Sequence, residues 1–284
     1  MKKIVFLLIF LLSLTGCIKN DSMEDINIAT SVYPIQFVVD SLYGDYSNIS
    51  SIYPNDSNIN DFKITKVLLK DYSSNDLFIF NGLSEENSYV KTMKKNNDNL
   101  KIIDATANMT YEYTTEELWL DPNNLLTIAN NIKIGFNEYI KAKYLIEKIN
   151  ENYTNLKIDL TSLDGKYYSS VKHSNYNYII VSDDSFKFLE KYGLIVISLD
   201  EDTVKDKDIA TAKELLNSGK CDYVFTVYGD EINKTVNTVL EITNTKNLDL
   251  YTMTNLFEVN VEKNNYISLM NINLENLKQE LYKN

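Results

Sequence analysis

The sequence predicts an α/β protein: two four-stranded halves joined by one long helix. Three observations carry that expectation. Short apolar or alternating strands recur with helical segments between them, four before residue 121 and four after residue 177. From Asn123 to Leu160, apolar residues keep helical spacing with no proline and one glycine, Gly135. A chain of 284 residues also has room for two domains, each burying a core of its own.

The first residues form a targeting segment. Lys2 and Lys3 precede the apolar run Ile4 to Leu12, too short for a hydrocarbon core of about 30 Å. Leu14-Thr15-Gly16-Cys17 resembles the lipobox of bacterial lipoproteins. That likeness implies a signal peptide at 1–16, cleavage before Cys17, lipid on Cys17 and a polar tether at 17–25.

The first domain, 26–121, follows. Ile26 to Ser31 alternates as a strand, and Tyr33-Pro34 starts a helix through Leu42. Ile49 to Tyr53 is the second strand, the polar loop Asn55 to Asp61 follows, and Ile64 to Leu69 is helical. Leu77-Phe78-Ile79-Phe80 reads as a buried parallel strand. Glu85 to Lys95 is a charged helix and Leu100 to Ile103 the fourth strand.

Asp121-Pro122 then opens the amphipathic run, with Leu125, Ile128, Ala129, Ile132, Phe136 and Ile140 on one stripe. It predicts a continuous linking helix over 122–160, whose core of roughly 35 residues spans about 50 Å. Two helices with a break near Gly135 are the alternative.

The second domain, 161–284, repeats the alternation. Its strands are Tyr178 to Val181, Leu194 to Leu199, Tyr223 to Thr226 and Leu248 to Thr252. Helices fall at Ser185 to Tyr192, Asp208 to Leu216, Glu231 to Ile242 and Asn265 to Leu281. Asp164 to Asn177 reads as irregular and tyrosine-rich, and holds the sole histidine, His173.

A formal net charge of −12 and a pI near 4.7, with no basic segment, argue against nucleic-acid binding. All 28 basic residues are lysine, so bidentate arginine clamping of carboxylate or phosphate is excluded. One histidine and no Gly-rich phosphate loop leave no hydrolase or nucleotide motif, so the chain does not read as an enzyme. Cys221 has no partner once Cys17 is lipidated, and reads as a small core residue.

Five stretches in order resemble the metal-binding substrate-binding proteins of bacterial ABC importers, the zinc and manganese receptor family. They are Tyr33-Pro34, Asn75 to Leu83, Trp119-Leu120-Asp121-Pro122, Tyr192-Gly193-Leu194 and Tyr266 to Leu274. The likeness implies an interdomain cleft in which ligands from four loops meet. Carried over by motif, those positions are Asn60, Glu117, Asp183 and Thr254, with Ser182 in place of Asp183 if no gap is allowed before Tyr192. Each offers oxygen, and none the nitrogen or sulfur that zinc favours. The set therefore suits Mn²⁺, Mg²⁺ or Ca²⁺ better than Zn²⁺. Local readings stand beside these: Asn60 as a turn residue, Glu117 as a charge at a helix N-terminus, Asp183 as the N-cap of the helix at Ser185, and Thr254 as a loop residue.

The implied function is capture of a divalent cation by a monomer and its delivery to an ABC permease. The implied location is the outer face of the cytoplasmic membrane of a Gram-positive bacterium. The alternative is a surface lipoprotein that keeps the fold without the metal and serves in adhesion or protein interaction.

Overall fold

A strand such as Leu77-Phe78-Ile79-Phe80 has no polar side chain to turn to water, so it must lie inside a sheet covered on both faces. The computed structural model, which describes residues 23–54, 57–59, 61–256, 259–261 and 263–283, places it there with all four residues buried. Strands β1 (Ile26–Thr30), β2 (Ser47–Ser51), β3 (Leu77–Phe80) and β4 (Lys101–Asp104) form a parallel sheet in the order β2-β1-β3-β4. The second lobe repeats the plan. Its strands β5 (Tyr178–Val181), β6 (Ile195–Ser198), β7 (Tyr223–Val227) and β8 (Lys246–Leu250) run parallel in the order β6-β5-β7-β8.

Helices α1 (Tyr33–Tyr43), α2 (Lys66–Tyr72) and α3 (Glu86–Asn96) belong to the first lobe. The short α4 (Glu117–Leu120) leads into α5 (Pro122–Tyr139), whose N-cap Asp121 accepts from the Asn123 N–H at 2.8 Å. Next come α6 (Lys143–Lys172), a 3₁₀ helix at Asp184–Tyr192, α7 (Asp206–Asn217), α8 (Lys234–Thr243) and α9 (Tyr266–Leu281).

The continuous helix expected over 122–160 is not what forms. The chain breaks at Ile140–Ala142, where Ile140 and Ala142 are extended, and folds back so that α5 packs against α6. Lys133 Nζ lies 4.1 Å from the centre of the Tyr153 ring. In one straight helix those residues would stand about 30 Å apart. Neither glycine nor proline makes the break. Ile140 turns fully into the core, and Lys141 Nζ caps the freed Glu138 carbonyl at 2.7 Å. Gly135 is a packing notch instead: a Cβ there would stand 2.6 Å from Ile103 Cγ1. So α5 covers the first sheet next to β4.

The element that spans both lobes is therefore α6, whose 30 residues run about 45 Å. Asn152 Nδ2 reaches the Leu42 carbonyl of the first lobe at 3.0 Å. Further along, the Tyr167 hydroxyl reaches the Met270 carbonyl of the second at 2.8 Å. The helix absorbs Asp164 to Lys172, which sequence alone assigns to an irregular segment, because Leu160, Leu163, Tyr167 and Val171 continue its buried stripe. Its buried apolar residues belong to one core that runs through both lobes.

Candidate functional site

In open parallel sheets, ligands are taken at the carboxyl ends of the strands. Here the loops leaving those ends face each other across the lobes. After β2, the Ile59 N–H donates to the Thr254 carbonyl at 3.1 Å, and Asn58 and Asn255 form an antiparallel bridge. The Asn58 and Asn255 amides both donate to Asp230 Oδ1, at 3.1 and 3.0 Å. Gly229 lets Asn255 come close: its φ is +78°, and a Cβ there would lie 2.8 Å from Asn255 Nδ2.

Helix α4 sits at the centre of this meeting. Trp119 Nε1 donates to the Thr252 carbonyl at 2.8 Å, and the Tyr266 hydroxyl donates to the Trp119 carbonyl at 2.5 Å. The 3₁₀ helix that Asp183 caps also packs on α4. There Lys191 joins Asp121 and lies 2.9 Å from Asp164, while the Tyr113 hydroxyl donates to Glu190 at 3.0 Å.

The sequence-derived ligand positions fare differently. Asn60 and Cys17 lie outside the described residues. Glu117 Oε2 accepts from the N–H groups of Glu112 and Tyr113, at 3.0 and 3.2 Å, and so closes its own loop. Asp183 Oδ1 accepts from the Ser185 N–H at 2.8 Å as an N-cap. Burial raises the Asp183 carboxyl above its usual range, with Asp200 and Asp184 adding to the rise. Thr254 is buried, its hydroxyl 2.7 Å from that of Thr252. Ser182 lies beside Asp183, and its N–H donates to the Phe225 carbonyl at 2.8 Å. His173 is remote in role: it ends α6, with Nδ1 2.8 Å from the Ser169 carbonyl. Cys221 is buried, which pushes its thiol up to about 12.

Among the described residues, Asp183 and Thr254 line different hollows. Asp183 lines an acidic hollow of about 210 Å³ with Asp200, Glu201, Asp202, Asp230 and Glu231. Thr254 lines a small seam with Tyr33, Tyr53 and Ile59. Among the described residues, no three His, Cys, Asp or Glu side chains are grouped to hold a metal ion. What sequence reasoning missed is Asp230, whose one oxygen ties loops of both lobes. Gly229-Asp230, one residue beyond the end of β7, is the local turn signal for it.

Residues 28–280 match the family described as zinc-uptake complex component A, periplasmic. The chain belongs to the ZnuA family. That family consists of extracytoplasmic substrate-binding proteins of metal uptake that work with ABC permeases, and not of enzymes. No relative of curated function matches this chain by sequence. Among solved structures, the Zn(II)-bound ZnuA-like domain of Streptococcus pneumoniae AdcA superposes with a TM-score of 0.73 at 21% identity, covering 90% of this chain and 99% of that one. The metal-dependent lipoprotein YcdH of Bacillus subtilis gives 0.73 at 19%, covering 90% and 99%. The laminin-binding protein Lbp of Streptococcus pyogenes gives 0.71 at 17%, covering 91% and 99%. At such identities the likeness is one of fold: two four-stranded α/β lobes with a long helix, as this ZnuA-family chain has.

Proposed function

We propose that this protein is the lipid-anchored receptor of a metal-ion ABC importer, taking a divalent cation between its lobes with oxygen donors and passing it to a membrane permease. The observation that carries this is convergence. Loops from both lobes, including those that bear the Glu117, Asp183 and Thr254 positions, meet around α4. The rim of the second lobe there is acidic, and a hard cation such as Mn²⁺ answers such oxygens better than Zn²⁺ does. Lipid on Cys17 would hold the monomer at the outer face of a Gram-positive cytoplasmic membrane.

A second reading has its own observation. Glu117 is engaged by backbone N–H groups, and the described residues hold no three-ligand group. That favours a surface lipoprotein that keeps the fold and serves in protein interaction, a role in keeping with the laminin-binding protein of similar fold.

Elemental analysis of protein purified without chelator, followed by melting in Mn²⁺ and in Zn²⁺, separates the two. The receptor reading expects bound metal and a rise in melting temperature following RT ln(1 + [L]/Kd), larger for Mn²⁺. It also expects Asp183→Asn and Glu117→Gln each to remove most of that rise. No bound metal, and no shift at millimolar ion, leaves the interaction reading standing.

A further inference from the structure

We propose that the first lobe carries a site for a primary or secondary alkylammonium ion, built on Glu86 and walled by aromatic rings. The site makes no use of the metal reading. A cavity of about 650 Å³ lies beneath the loop after β2, with Tyr53, Phe62, Tyr89 and Trp119 among its walls.

Glu86 lines this cavity at only 3% exposure. Its Oε1 accepts from the Tyr53 hydroxyl at 3.1 Å, while its Oε2 is buried with no hydrogen-bond partner. A buried carboxylate oxygen without a donor is costly, and such an atom in a native fold calls for an explanation. Burial pushes the carboxyl up to about 7, against the pull of its own backbone N–H and of the Tyr53 bond, with the neighbouring Glu85 charge adding to the rise. At neutral pH a proton and a cation therefore compete for the same place.

The surroundings choose the cation. Tyr53 and Phe62 meet edge to face, with ring centres 6.2 Å apart, and ring faces attract positive charge. Glu85 and Glu116 face the same cavity, with Glu85 taking the Tyr89 hydroxyl at 2.7 Å, against one exposed amine, Lys63. An anion is repelled by that balance. A bare metal ion needs several oxygen ligands drawn together, and among the described residues no three carboxylates are grouped closely enough to hold one. An alkylammonium supplies an N–H to Oε2, charge to the carboxylate and an apolar body to the rings.

Calorimetry on the chelator-treated protein tests this, with n-butylammonium chloride as probe and n-butanol as its neutral counterpart. The proposal expects saturable binding of the ammonium alone, and weakening by at least about tenfold in Glu86→Gln. Binding at pH 6.5 should release a proton, read from the buffer dependence of the heat, and the release should fade by pH 8.5 as Glu86 ionises beforehand. That readout decides the matter in the wild-type protein if Glu86→Gln does not fold. Equal binding of butanol, unchanged affinity in Glu86→Gln, or no saturation at millimolar probe overturns it.

Discussion

The indole N–H of Trp119 donates to the carbonyl of Thr252 at 2.8 Å, so a residue ahead of the helix hairpin closes on a loop more than a hundred residues later. The side chain is 2% exposed, and its removal leaves a void and a carbonyl without a donor. Trp119→Phe should cost about 2–4 kcal/mol in urea unfolding. Tyr266→Phe, which frees the Trp119 carbonyl, should cost about 1 kcal/mol, and the double variant should be non-additive because the two bonds share one residue.

Gly135→Ala gives a test of sign. In an exposed helix the change would stabilise by up to about 1 kcal/mol. Here the new methyl meets Ile103 at 2.6 Å, so the expected outcome is a loss of about 1–3 kcal/mol by denaturant midpoint. Pairing it with Ile103→Ala, which removes the clashing atoms, should recover part of the loss beyond additivity.

Glu86 sets a pH dependence. Its folded pKa of about 7 lies above the ordinary 4.5, so the folded state holds the proton more tightly than the unfolded one. Stability from this group is then greatest below about 4.5, falls as pH rises toward 7, and is level above that; the whole drop is about 3 kcal/mol. Glu86→Gln cannot lose the proton. The difference in unfolding free energy, variant minus wild type, should therefore rise between pH 4.5 and 7, and a flat difference would refute the assignment.

Lys191 stands between Asp121 and Asp164, and with the Tyr192 hydroxyl it holds the Asp164 carboxyl below its usual value despite burial. A lowered carboxylate lends stability above its unfolded pKa and loses it as pH falls through the folded one. Lys191→Met leaves two partly buried like charges together, with an expected cost of about 1–3 kcal/mol at pH 7 that shrinks toward pH 3. Thermal melts at both pH values check it.

Both sheets were legible because their central strands are runs such as Leu77–Phe80 and Tyr178–Val181, which only a covered sheet accepts. The family followed from motifs that keep their order. The turn at Ile140–Ala142 was not legible. Its cause is tertiary, the burial of Ile140, and no local breaker marks it. Gly135 misled for the converse reason: it reads as a weak point in a helix, whereas its missing side chain fits Ile103. At the site, the local role of Asp183 as an N-cap could be read from Asp183-Asp184-Ser185. The tie of Asp230 to Asn58 could not, since it depends on loops 172 residues apart coming together.

The chain passes between lobes along α6 without returning a strand to the first sheet. Each sheet is thus made from one uninterrupted stretch of sequence, and its pairings join strands that are near neighbours along the chain. Close pairings form quickly because little loop entropy is lost in making them. During synthesis the first sheet can be complete while the second is still unmade, with α6 added along its flank as it emerges. What must wait are the few late clasps, Trp119 to Thr252 and Ile59 to Thr254. Folding of this protein should therefore end, and unfolding begin, at the seam where its two lobes meet.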